Sequence, residues 1–150
     1  ISSNPPDHHG GNIDNKDLVA GTSLYLPVHV PGALVSFGDA HGIQGDGEVA
    51  LTALEVSVAG LVQIVLHKDR SLVRPRAETP THFITMGLHP DLDEAAEMAT
   101  REMIQFLVEE KGLTRDDAYI LVSLAVDLAV TQLVDGTKGV HAKLPKSIFR

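Results

Sequence analysis

Three features of this sequence predict an α+β fold. The first half carries β-branched residues at strand spacing, the second half carries two helix-start signals, and an apolar run after them fits a strand returning to the sheet. The expected architecture is a β-rich, sandwich-type portion over residues 1–75, followed by an α+β portion over 76–150 with a helix pair and that returning strand.

Leu24, Leu26, Val28 and Val30 alternate with Tyr25, Pro27 and His29, the pattern of a strand with one buried face. Val49 to Leu66 holds Val56, Val58, Val62, Ile64 and Val65 around Ala59-Gly60, which predicts strands joined by a hairpin turn. Both faces of this region are apolar, so a second sheet is expected to cover it. Arg70 to Arg76 predicts an exposed basic connection, and Thr81 to Gly87 a short strand. Pro90-Asp91-Leu92-Asp93-Glu94 is a helix start with Asp91 as cap; Leu92, Ala96, Ala99, Met103, Phe106 and Leu107 recur at helical spacing until Gly112. Thr114 with Asp117 repeats the capping box for a second helix to about Ala125, and Leu128 to Val134 predicts the returning strand.

Composition limits the function classes. At 150 residues with 43% hydrophobic content the chain can bury a core, and with 4% aromatics and no tryptophan that core must be aliphatic. The absence of cysteine removes disulfides, thiolate nucleophiles and cysteine-based zinc sites. A net charge of -8 argues against a nucleic-acid partner. No apolar run approaches the roughly 18 residues that a membrane helix needs, and the chain is expected in the cytoplasm with no membrane partner.

The chemistry concentrates in two glycine-rich clusters. Gly38 to Glu48 packs three carboxylates (Asp39, Asp46, Glu48), one imidazole (His41) and four glycines between apolar runs. Carboxylates crowded beside buried strands need a shared cation, a proton or backbone donors. A tight turn at Gly45-Asp46-Gly47 is the plainer reading of part of this loop. An EF-hand is excluded, because the fifth position counted from Asp39 is Ile43. Upstream, His8-His9-Gly10-Gly11-Asn12-Ile13-Asp14 offers imidazoles, an amide and a carboxylate around glycines that allow close backbone approach. One strand-like segment separates the clusters, as two walls of one pocket would be separated.

His9 to Asp14, Leu24 to Ala33, Gly38-Asp39-Ala40-His41 and Gln44-Gly45-Asp46-Gly47-Glu48-Val49, in this order, resemble the acetamidase/formamidase family. Val130 to Ala142 and Leu144-Pro145-Lys146 resemble that family's closing segment, so the resemblance runs the length of the chain. It implies hydrolysis of short aliphatic amides, such as formamide or acetamide, to ammonia and a carboxylate. It also implies that the family's N-terminal half is absent from this chain and completes the sandwich from elsewhere. That half is expected as a separate or nicked chain, in a homo-oligomer.

Amide hydrolysis needs an activated nucleophile, a polarised carbonyl and a proton for the leaving nitrogen. No Gly-x-Ser-x-Gly elbow is present, so water held by a metal or by carboxylates is the expected nucleophile. Asp39 and His41, one residue apart, can act as a two-ligand clip, with Asp14 as third ligand and an open position for water or amide oxygen. Glu48 is the expected general base and proton shuttle, a role that burial beside other acids suits, and Asp46 the weaker acid. His9, Gly11 and Asn12 are the expected substrate-binding residues. The donor set points to a divalent metal, zinc first and calcium or magnesium second, with no organic cofactor; a metal-free, acid-assisted mechanism also fits. His82, Lys138 and His141 have weaker claims. The competing class is a non-catalytic, metal-stabilised sandwich module that binds a small polar ligand or a partner subunit.

Overall fold

The two helices start and stop where their caps predict. In the structure, a computed structural model that describes residues 2–149, Asp91 Oδ1 accepts from the backbone N–H groups of Asp93 and Glu94 at 2.9 and 3.3 Å. Helix α1 then runs Leu92–Lys111 until Gly112 turns left-handed at φ 68°. Thr114 Oγ1 accepts from the Asp117 N–H at 3.1 Å and opens α2, Arg115–Ala125.

The strands are β1 Ser23–Tyr25, β2 Arg76–Glu78, β3 His82–His89, β4 Asp127–Gln132 and β5 Lys138–Pro145. They form one antiparallel sheet in the order β1-β2-β3-β5-β4, so β5, last in sequence, lies between β3 and β4. The α+β class therefore holds.

Strand alternation divides the sheet into two working faces. On one, Val140, Ala142 and Leu144 of β5 pack against Ala95, Ala99, Met103 and Leu107 of α1 and Ala118 and Val122 of α2. Burial of each large side chain here stabilises by roughly 1.5–3 kcal/mol. The helix lies close because β3 carries Gly87 beneath it: a Cβ there would sit 1.9 Å from the Ala95 carbonyl oxygen and 2.6 Å from the Ala99 nitrogen. Thr85 adds a buried hydrogen bond, its hydroxyl donating to the Ala99 carbonyl at 2.8 Å. On the other face, Ile84 and Met86 of β3 with Ala77 of β2 receive Ile13 and Leu18. The segment that carries Asp14 is thereby laid across the sheet, opposite the helices.

Strand placement departs from expectation in the first half. Only β1 forms among residues 2–75, and the alternation from Leu26 to Val30 continues as unpaired chain because Pro27 and Pro31 bring no ladder donor. The strands expected over Val49 to Leu66 are not formed. Instead, residues 40–43 pair briefly with 54–56, through Gly42 N to Leu54 O at 2.8 Å, Leu54 N to Ile43 O at 3.0 Å and Val56 N to Ala40 O at 3.1 Å. No second sheet lies over this region among the described residues, and Val58, Leu61, Val62, Ile64, Val65 and Leu66 are each more than half exposed. The basic connection ends in the sheet: Arg76 belongs to β2 and meets Glu102 and Glu109 of α1, each at 3.3 Å. Strand β5 was not foreseen from the sequence.

Candidate active site

The acid-rich loop is anchored at both ends by backbone pairing. His41 and Glu55 form an isolated antiparallel bridge within the 40–43/54–56 ribbon. At the other end Gly47 bridges to Gln132, donating to the Val130 carbonyl at 2.9 Å and accepting from the Leu133 N–H at 2.8 Å. These bonds hold Glu48 at φ 41°, a left-handed conformation that costs a residue with a side chain roughly 1–3 kcal/mol.

Asp14 arrives from the segment across the sheet and is gripped by Gln132, which is fully buried at the end of β4. The Gln132 amide nitrogen donates to Asp14 Oδ2 at 2.9 Å, and its oxygen accepts from the Asp14 N–H at 3.3 Å. Asp14, His41 and Glu48 then each offer a ligand atom within 4.8 Å of the others, and both carboxylates are buried, at 8% and 7% exposure.

Gln44 sets the chemistry of His41. Its amide nitrogen donates to the Asp14 backbone carbonyl, so its oxygen must face His41 Nδ1, 2.9 Å away. Nδ1 therefore carries the hydrogen, and the lone pair of the neutral ring sits on Nε2. Nε2 lies 3.2 Å from Glu55 Oε1, 3.7 Å from Asp39 Oδ1 and 3.9 Å from Glu48 Oε1.

The crowding of acids shows in their proton affinities. Burial, with Glu48 and Asp135 nearby, pushes Asp14 up to about 8. Partial burial lowers the His41 pKa, but contact with Gln44 and the carboxylates of Glu55, Asp39 and Glu48 outweighs it, and the net shift is upward. The site thus retains protons that a cation would displace. One imidazole lone pair and buried carboxylates are a donor set that fits a divalent ion.

The remaining predicted residues are distributed around this cluster. Asp39 joins not Asp14 but an outer, exposed set with His41 and Glu55; its pKa is raised by the hydrogen bond to Glu55. Asp46 lies outside the Asp14–His41–Glu48 group, its carboxylate paired with Lys16 at 2.8 Å, and lines the same hollow as Glu48. Asn12 is tied in by its backbone carbonyl, which accepts from Gln132 at 3.0 Å. Gly11 sits at φ 78°, where a Cβ would meet the Pro5 carbonyl oxygen at 2.6 Å. His9 falls in a separate group with Asp7 and His8, and both its ring nitrogens are buried without hydrogen-bond partners. Sequence reasoning missed Gln44, Glu55 and Gln132; two of them stood inside recognised motifs, but neutral amides add nothing to a charge pattern. A hollow of about 390 Å³ opens beside Glu48 and Gln44, walled by Ile43, Val49 and Leu54.

Residues 2–150 match the profile of the Acetamidase/Formamidase family. The chain belongs to the acetamidase/formamidase family. It is 37% identical over 87 residues to the formamidase of Methylophilus methylotrophus, a match covering 52% of this chain and 21% of that one. It is 49% identical over 45 residues to the acetamidase of Mycolicibacterium smegmatis, covering 30% and 11%. The structure resembles an acetamidase from Yersinia enterocolitica with a TM-score of 0.90 at 34% identity, over 100% of this chain and 46% of that one. An acetamidase from Bacillus halodurans gives 0.86 at 38% identity, over 99% and 50%. This acetamidase/formamidase chain spans about half the length of those solved relatives, and its matches cover less of the curated ones. In both solved relatives the matched segment is part of one longer chain, which lends no support to a separate or nicked partner half.

Proposed function

We propose that this chain carries the water-activating part of an amidohydrolase that cleaves short aliphatic amides of the formamide or acetamide type. The observation that carries this reading is the buried Asp14–His41–Glu48 cluster, in which Gln44 leaves the His41 Nε2 lone pair facing the acids. Asp14 and His41 would hold a divalent ion, zinc being favoured by the imidazole donor. Such an ion supplies a polarised carbonyl and a more acidic water.

Glu48 takes a proton from the water as its oxygen attacks the amide carbon. It then delivers that proton to the nitrogen as the C–N bond breaks, so ammonia and the carboxylic acid leave, the acid giving its remaining proton to solvent to become the carboxylate. Without an ion, Asp14 offers a second route. Held protonated near neutral pH by burial, it can donate its O–H to the developing oxyanion. Asn12, whose backbone carbonyl accepts from Gln132, and the neighbouring Gly11 would orient the amide. The half-exposed Asp39 and Glu55 form the rim.

The same reading expects the exposed apolar residues from Val58 to Leu66 to be covered, either by a further layer of polypeptide or by a second copy. Leu61 is fully exposed, and its neighbours from Val58 to Leu66 are largely so, a surface too apolar to face water alone.

Ammonia release from formamide and acetamide, measured alongside elemental analysis of the purified protein, tests this function. Stoichiometric ammonia is expected. Tight binding of small amides with no turnover would instead select the non-catalytic module.

A further inference from the structure

On the sheet face that carries the acid cluster, a second polar chain runs through the buried core. His141 of β5 is 1% exposed. Its Nδ1 lies 2.7 Å from Thr131 Oγ1, and its Nε2 lies 3.3 Å from Asp17 Oδ2, a close polar contact that is not a well-formed hydrogen bond. The same Asp17 oxygen meets Lys143 Nζ at 2.9 Å, two residues along β5. Nothing in the proposed chemistry uses these groups.

Their position in the sheet suggests what they do. The β4–β5 ladder pairs Val130 with Val140 and then Gln132 with Gly139, so Thr131 is an extra residue, a bulge. In an unbroken strand, Thr131 and Gln132 would point to opposite faces. A bulge breaks that alternation and re-aims the residue beside it, and here Gln132 comes to Asp14 on the face that already holds Thr131. Gly139 makes room for the bulge: a Cβ there would lie 2.9 Å from the Thr131 Cβ.

We infer that Asp17, His141 and Thr131 form a positioning strut: it fixes the bulge at Thr131 and so sets where Gln132 holds Asp14. The inference rests on the reading that Asp14 belongs to the active cluster. Burial lowers the His141 pKa, so the strut works through a neutral ring. Gln132 transmits the placement, because its amide nitrogen meets Asp14 Oδ2, the Asn12 carbonyl and Asp135 Oδ2 within 3.0 Å. Thr131 and His141 touch no reacting group and are positioning residues.

Thr131→Val, which keeps the shape and loses the hydroxyl, is compared with Thr131→Ser, which keeps the hydroxyl. Two quantities are read: the Gln132 side-chain amide signals by ¹⁵N–¹H NMR, and kcat and KM for formamide. The strut predicts that Thr131→Val shifts the Gln132 signals and lowers kcat about ten- to a hundred-fold with little change in KM. Thr131→Ser should restore both. Gln132 signals and kcat in Thr131→Val that coincide with those of the parent protein overturn the strut. Should Thr131→Val not fold, Asp17→Asn, at the partly exposed end of the chain, carries the same two readouts with the same expectations. A parent protein that releases no ammonia defeats the amidohydrolase reading, while the NMR comparison still decides the strut.

Discussion

Asp14 and Asp39 look alike in the sequence, each an acid within five residues of glycine and histidine, yet their surroundings differ. Asp14 is buried, held by Gln132 and close to Glu48, whereas the Asp39 side chain is 60% exposed at the rim. A buried carboxylate in such a cluster has no water to replace a lost cation or proton, and an exposed one does. Asp14→Ala should therefore remove far more bound metal and activity than Asp39→Ala; parallel metal titrations and ammonia assays of the two variants check this. Equal losses would return Asp39 to the inner ligand set. The residues of the cluster were legible because charge crowded among glycines is rare without a purpose. Gln44, Gln132 and Thr131 were not, because their roles depend on which atoms the fold brings within 3 Å, and a neutral side chain has no pattern along the chain that reveals this.

The helices were readable because their start and stop signals are local: Asp91, Gly112 and Thr114 act on backbone groups within five residues. The strands were harder, since a β-branched run becomes a strand only if another segment pairs with it. Val49 to Leu66 has the composition but, over most of its length, no partner among the described residues. The eight residues of β5 have two partners and little alternation to mark them, because both their faces are covered. The fit of α1 onto β3 gives a prediction on this scale. Gly87→Ala places a methyl group against the α1 backbone, which cannot move as a side-chain tip can. It should cost about 3 kcal/mol or more in urea unfolding, at the upper end of overpacking effects. A loss below about 1 kcal/mol would show that the helix can move off the strand freely.

The molecule as a whole has one well-covered sheet face and a broad apolar surface that water would have to cover. The sequence hinted at the need, since both faces of the 24–66 region are apolar, but it could not show what supplies the cover. The particle in solution should accordingly have a mass well above 16.0 kDa. Light scattering with intact-mass analysis checks this, and a stable, active monomer of that mass would refute it. The proposed chemistry requires the buried acids to move protons for an amide. The most direct measurement is the initial rate of ammonia release from formamide by the parent protein and by Glu48→Gln, both shown to be folded and to bind the amide. Loss of a general base or acid predicts a rate lower by about 10²- to 10⁴-fold. A Glu48→Gln rate within a few-fold of the parent's would contradict the role given to this cluster.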